Sequence, residues 1–144
     1  MRDSLQAFFR QHEPQKVCLD AKGYTDLVLT RTDVNAIFSI EVKWYKSRNA
    51  RIGVGNGKGE GMQLDLLRTE FPFMKQNVRW VIGSEELDGV LFLTEDEVLR
   101  HVHGGVTHGQ QNNISPKIME AHASISLDDF PSRVSAWMDE SIHH

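Results

Sequence analysis

Apolar residues recur at helical spacing near the start of the chain, where Leu5, Phe8 and Phe9 line one side of residues 4–12. Pro14 marks the end of that predicted helix. The period then changes. Residues 24–31 (YTDLVLTR) and 36–44 (AIFSIEVKW) are rich in β-branched, aromatic and long apolar side chains and predict two strands, with Thr32-Asp33-Val34-Asn35 as the turn between them. Residues 45–61 are basic and dense in glycine and predict a loop. Residues 62–71 (MQLDLLRTEF) predict a helix, which Pro72 disrupts. Two more strands are expected at 78–83 (VRWVIG) and 89–94 (GVLFLT), joined by a polar turn. Thr94-Glu95-Asp96-Glu97 has capping-box spacing and opens a helix through about Val102. Gly, His, Gln and Asn fill 103–113, a predicted polar loop, and Ser126 to Asp129 start a last helix running to about Met138. No internal repeat interrupts this order, which predicts one α/β domain with a central mixed β-sheet flanked by helices.

The predicted hairpin brings three polar residues together. If its turn centres between Asp33 and Val34, Arg31 faces Ala36, Leu29 faces Phe38 and Leu27 faces Ile40. With Val42, these residues make one apolar face. Asp26 then falls opposite Glu41 on the other face, and Lys43 shares that face because side chains alternate along a strand. Directly opposed Cβ atoms lie roughly 4.5–5.5 Å apart. Two carboxylates that close repel, and a divalent cation reverses the sign of the interaction. Mg²⁺ takes oxygen ligands, commonly one or two carboxylates, several waters and a substrate phosphate. Lys43 beside such a cation would stabilise charge on a phosphate oxygen or accept a proton from the attacking water. The same pattern is met by Asp26 starting a strand while Glu41 and Lys43 decorate a solvated face.

Composition narrows the function classes. The chain has 144 residues, 40% hydrophobic and 25% charged, which suits one self-sufficient soluble core. No apolar run is long enough to span a membrane, and the N-terminus lacks a signal-peptide pattern, so a cytoplasmic protein is expected. The lone cysteine, Cys18, excludes an intramolecular disulfide and sits in an apolar run that predicts burial. A net charge of −4 weighs against a nucleic-acid partner. The distribution weighs the other way: Lys43, Lys46, Arg48, Arg51 and Lys58 fall in one stretch without an acid. A solvated charged loop would look the same. Alternating glycines in 53–61 (GVGNGKGEG) do not have the spacing of a phosphate loop, so no nucleotide cofactor is expected. A loop whose backbone approaches DNA suits them better, with Arg48, Arg51 and Lys58 paired to phosphates and Gln63 at the start of the next helix. His101, His103 and His108 lack a nearby acidic or cysteine partner and read as solvated loop histidines.

Gly23-Tyr24-Thr25-Asp26-Leu27-Val28-Leu29 followed by Ile40-Glu41-Val42-Lys43 resembles the PD-(D/E)xK nuclease core. In that superfamily an acid begins one strand and an ExK motif occupies the next. The resemblance implies Asp26, Glu41 and Lys43 as catalytic residues, and Asp26, Glu41 and the Val42 carbonyl as metal ligands. Thr25 stands where a proline usually precedes the first acid. Within the superfamily the chain looks most similar to type II restriction endonucleases of the PvuII-like kind. Trp80 with its strand, the Gly89 strand and Asn112-Asn113-Ile114-Ser115-Pro116-Lys117 carry that likeness. A comparable Asn-Asn segment there reads bases, and asparagine suits adenine N6 and N7. Here Ile114-Ser115 is inserted before Pro116, and turn chemistry is the plain alternative for both asparagines.

The resemblance therefore implies a restriction-endonuclease-like core over about 17–103 and a DNA-reading loop and helix over about 104–140, in one domain of 1–144. It implies hydrolysis of double-stranded DNA with Mg²⁺, for which Mn²⁺ substitutes, by a homodimer whose two active sites match a two-fold target. DNA contacts are expected from Lys46, Arg48, Arg51, Lys58, Gln63, Asn112, Asn113 and Lys117. Two alternatives stand behind it: a structure-specific nuclease such as a Holliday-junction resolvase or repair enzyme, which the −4 net charge disfavours, and a non-catalytic nucleic-acid-binding domain of the same fold, against which the intact Asp26, Glu41 and Lys43 argue.

Overall fold

A computed structural model describes residues 1–20, 27–45, 52–54, 76–102 and 112–141. In chain order the elements are α1 (Arg2–His12), β1 (Lys16–Asp20), β2 (Leu27–Arg31), β3 (Ala36–Tyr45), β4 (Ile52–Val54), β5 (Val78–Ser84), β6 (Val90–Leu93), α2 (Glu95–Leu99), β7 (Asn112–Ile114), α3 (Ile118–Ala121) and α4 (Phe130–Glu140). Strands β1-β2-β3-β5-β6 form one sheet in that order, and β4 pairs with β7 in a second. The β3–β5 seam is parallel and every other pairing in the large sheet is antiparallel. This is the expected α/β architecture of a mixed sheet between helices.

Strand alternation divides the core into two clusters. Phe38 and Ile40 of β3, with Leu27 and Leu29 of β2, Val81 of β5 and Val90 of β6, pack on one face against Leu5 and Phe9 of α1 and Phe130, Val134, Trp137 and Met138 of α4. On the opposite face Tyr45, Trp80, Ile82, Leu91 and Leu93 pack against Val98 of α2, Ile114 of β7, and Ile118 and Met119 of α3. The result is three layers, with the sheet in the middle. Trp137 is a hub of the first cluster: its ring meets Phe38 and Phe92 edge-on at 5.2 and 5.7 Å between centroids. Its Nε1–H donates to the Gln76 carbonyl at 2.9 Å, satisfying the polar end of a buried aromatic.

The β2–β3 register is the one the hairpin pattern predicts: Arg31 pairs with Ala36, Leu29 with Phe38 and Leu27 with Ile40. Asn35 takes the left-handed conformation at φ 52°, which asparagine tolerates better than most residues and which closes the turn. Thr94 caps α2 through the expected capping box, accepting from the Glu97 N–H at 3.2 Å while the Glu97 carboxylate accepts from the Thr94 N–H at 3.0 Å. Gly89, at φ 99°, sits where the backbone of Ile125 comes so close that an added Cβ would lie 2.1 Å from its carbonyl oxygen. Cys18 is buried, as its apolar run predicts.

Other expectations are corrected. Strand β1 was not foreseen; it is short, opens on a lysine and closes on an aspartate, and it is held in place by pairing to β2 along its whole length. Residues 52–54 of the predicted basic loop form β4, and the last two residues of the predicted polar loop, Asn112 and Asn113, form β7 with Ile114, because each strand supplies the other's ladder. Helix α2 stops at Leu99 rather than Val102, since Val102 is drawn into a bridge with Ile114. The last helix begins at Phe130, with Pro131 in its first turn, where a missing N–H costs nothing. The short helix α3 was also unforeseen. The start of the first predicted strand (24–26), the helix over 62–71 and most of both predicted loops lie outside the described residues. Among the described residues no helix is long and apolar enough to cross a membrane.

Candidate active site

Glu41 and Lys43 lie on β3, on the sheet face that also carries Tyr45 and, across the parallel seam, Trp80 and Ile82. The seam pairs Glu41 with Trp80 and Lys43 with Ile82, and Trp80 pairs onward with Leu93 of β6. Glu41 is thus set in a row with two apolar neighbours, and it is only 7% exposed. Removing a carboxylate from water is costly unless a charge or hydrogen bonds compensate. Lys43 supplies a positive charge, its Nζ 3.5 Å from Glu41 Oε1. The lysine side chain keeps 25% of its surface, so its ammonium stays at the edge of water.

The described neighbours on this face are largely apolar. Tyr45 is fully buried beyond Lys43, its hydroxyl 3.5 Å from the Ile114 carbonyl of β7, and burial pushes its pKa up to about 12. It remains a neutral phenol at physiological pH. The Trp80 Nε1–H is buried and meets no acceptor among the described residues. Glu95, at the first turn of α2, is 1% exposed. In the sequence Glu95 reads only as part of a helix start. A glutamate directly after an apolar strand is the sole sequence signal for it, and that signal does not separate a buried acid from an exposed one.

The expected site residues fare unequally. Glu41, Val42 and Lys43 are consecutive on β3, with Glu41 and Lys43 together and Val42 turned to the opposite face, against the α1–α4 cluster. Asp26, Lys46, Arg48, Arg51, Lys58 and Gln63 lie outside the described residues. Asn112 and Asn113 belong to β7, pairing with Val54 and Gly53 of β4, so they are strand residues rather than turn residues. Asn113 is half-buried, and Lys117, just before α3, is exposed. A cavity of about 730 Å³ opens elsewhere, lined by Met1, Trp44, Leu87, Leu127 and Phe130 among others, and does not include Glu41 or Lys43. Its lining also carries Ser4, Ser84, Glu85 and Asp128 but no Lys, Arg or His side chain to attract a phosphate.

The donor set suits a hard cation as far as it is described. Glu41 offers carboxylate oxygen with no thiolate or imidazole beside it, and Mg²⁺ needs only one or two such carboxylates plus water. Among the described residues no group of three or more His, Cys, Asp or Glu side chains gathers to hold a metal on its own.

No protein-family model and no curated protein matches this chain. Among solved structures it is similar to Hjc, a Holliday junction resolvase from the archaeal hyperthermophile Archaeoglobus fulgidus. Identity is 12%, the match covers 86% of this chain and 93% of that one, and the TM-score is 0.48.

Proposed function

We propose that this protein is a metal-dependent endonuclease that hydrolyses phosphodiester bonds in DNA. The observation that carries the reading is the Glu41–Lys43 pair: a nearly buried carboxylate and an ammonium on a one-quarter-exposed side chain, 3.5 Å apart on one face of a central strand. Asp26, the residue before Leu27 in sequence, completes the proposed set with the Val42 carbonyl as a further ligand. When bound, Mg²⁺ or Mn²⁺ supplies Lewis-acid stabilisation of phosphate charge and acidifies water. Glu41 contributes a fixed hard-oxygen ligand. Lys43 directs an N–H toward a non-bridging phosphate oxygen and stabilises the negative charge that builds as water attacks in line. The basic residues Lys46, Arg48, Arg51 and Lys58 are assigned to the DNA backbone, and Gln63 to the edge of the site.

Strand β7 bears on the subclass. A site-specific enzyme of the type II kind would read bases with Asn112, Asn113 and Lys117. Asn113 is half-buried in a ladder, which leaves less of it to offer a groove. Cleavage selected by DNA structure, as at a branch point, asks nothing of that segment and is our working subclass, with a homodimer bringing two sites to two strands.

The test is incubation of purified protein with plasmid DNA and with a four-way junction, in Mg²⁺ and in chelator. Mg²⁺-dependent cutting that disappears in Glu41→Ala is expected. Junction-selective nicks favour the working subclass, and discrete plasmid fragments favour the site-specific one. No cleavage of either DNA across a screen of divalent metals would overturn the nuclease reading.

A further inference from the structure

A second constellation lies off β3, where α2, β7 and α3 meet. His101 follows α2, and its carbonyl accepts from the Ser115 N–H at 2.6 Å just after β7. His122 ends α3. The two imidazoles approach with Nε2 to Nε2 at 3.3 Å, their planes inclined at 75°. His122 Nδ1 in turn lies 3.5 Å from Glu97 Oε2, and Glu97 is itself held by the capping box of α2. His122 is mostly shielded, its side chain 18% exposed.

We propose that His101 and His122 form a binding site for a nitrogen-preferring divalent transition metal, Zn²⁺ in the first instance, distinct from the nuclease centre. With Zn–N bonds of about 2.0–2.1 Å, two imidazole ligands on a tetrahedral ion stand about 3.3–3.4 Å apart. The observed Nε2 separation already has that value. Both Nε2 atoms must be bare to ligate, each ring keeping its hydrogen on Nδ1. The Glu97 carboxylate is placed to receive that hydrogen from His122, the outer-shell arrangement that orients most metal-bound histidines. Burial first, then the nearby His122 and Arg100, hold the His101 pKa below the ordinary histidine value. Among the described residues these two histidines are the protein ligands, and water fills the remaining positions. Imidazole pairs discriminate against Mg²⁺, so the two centres select different ions. A metal here ties the end of α2 to the turn after α3 and steadies the β7 segment between them.

The deciding measurement is NMR of the histidine ring nitrogens in the full-length wild-type protein during titration with ZnCl₂, then separately with MgCl₂. At about one equivalent of Zn²⁺ the Nε2 signals of His101 and His122 should shift together, while Mg²⁺ leaves both unchanged. Glu97→Gln should weaken the Zn²⁺ affinity roughly tenfold or more, and His122→Ala should remove the His101 response. Unchanged His101 and His122 signals in excess Zn²⁺, or shifts confined to other histidines such as His143 and His144, would overturn the proposal and leave an N–H···N hydrogen bond as the whole content of the pair. The readout is spectroscopic, so it stands or falls independently of DNA cleavage.

Discussion

Two lysines, on Lys16 of β1 and Lys43 of β3, show how differently one side chain is used on this scaffold. Lys16 has no exposed side-chain surface, and its ammonium donates to Glu13 Oε1 at 2.9 Å and to Ser135 Oγ at 2.7 Å, with Asp139 Oδ1 also at 2.9 Å. Ser135 passes its own hydroxyl hydrogen to Glu13, and Arg31 joins Asp139 at 3.0 Å while also pairing with Asp33. Every donor of the Lys16 ammonium is spent, and the clasp joins the end of α1, β1, β2 and α4. Among the described residues Lys43 meets the Glu41 carboxylate at 3.5 Å, and it keeps a quarter of its side-chain surface in water. An ammonium carries three donors. In the proposed reading, those of Lys43 that do not face Glu41 serve a phosphate, a role the Lys16 ammonium cannot take. On that same reading, saturation marks the structural lysine and looser pairing the chemical one.

Exchange of the two roles would break this contrast, and the largest effect tests it first. Lys43→Ala is expected to lower the DNA cleavage rate by 10²-fold or more. DNA binding and the urea unfolding midpoint should stay close to wild type. A matching loss of binding would reassign Lys43 to the DNA backbone. Next in size, Lys16→Met should destabilise the fold by about 2–3 kcal/mol, the scale of lost hydrogen bonds to charged groups. Urea denaturation measures it. Specific activity per folded molecule should not change, and a large drop in that quantity would erase the distinction.

The smallest effect concerns acid. Burial tends to raise the Glu13 carboxyl, but hydrogen bonds from Ser135 and Lys16, with the charges of Lys16 and Arg31, outweigh it and hold the pKa below the ordinary glutamate value. A depressed carboxyl stabilises the fold at neutral pH. That contribution fades as pH falls below the unfolded-state value toward the folded one. Stability measured against pH should therefore decline more steeply in the wild type than in Glu13→Gln below about pH 4.3. Parallel curves would show that Glu13 contributes no proton linkage.

Much of this contrast was legible in advance on one side only. The Lys43 side could be read because its geometry is local. An even-length turn and strict alternation set Arg31 against Ala36 and put Glu41 and Lys43 on one face, and the ladder follows that register. The Lys16 side could not be read, since its partners Ser135 and Asp139 stand at the far end of the chain and only packing of α4 brings them in. Strands β4 and β7 were hidden for a related reason. Each is three residues long, set among glycines or asparagines, and becomes a strand only by meeting the other. Helix α2 ends early because a tertiary bridge at Val102 outcompetes one more helical turn. Local pattern carried the hairpin and the capping box; long-range pairing decided the rest.

The parallel seam between β3 and β5 has a consequence in time. Strands β1, β2 and β3 form a meander of near neighbours, and β5 with β6 forms a hairpin, so each can assemble by short-range search. Joining them requires the chain to close over the whole stretch from 46 to 77, and loop closure of that kind slows folding. Glu41 acquires its Trp80 neighbour only at that step. By this route the Glu41 row stays incomplete until the two halves of the sheet join.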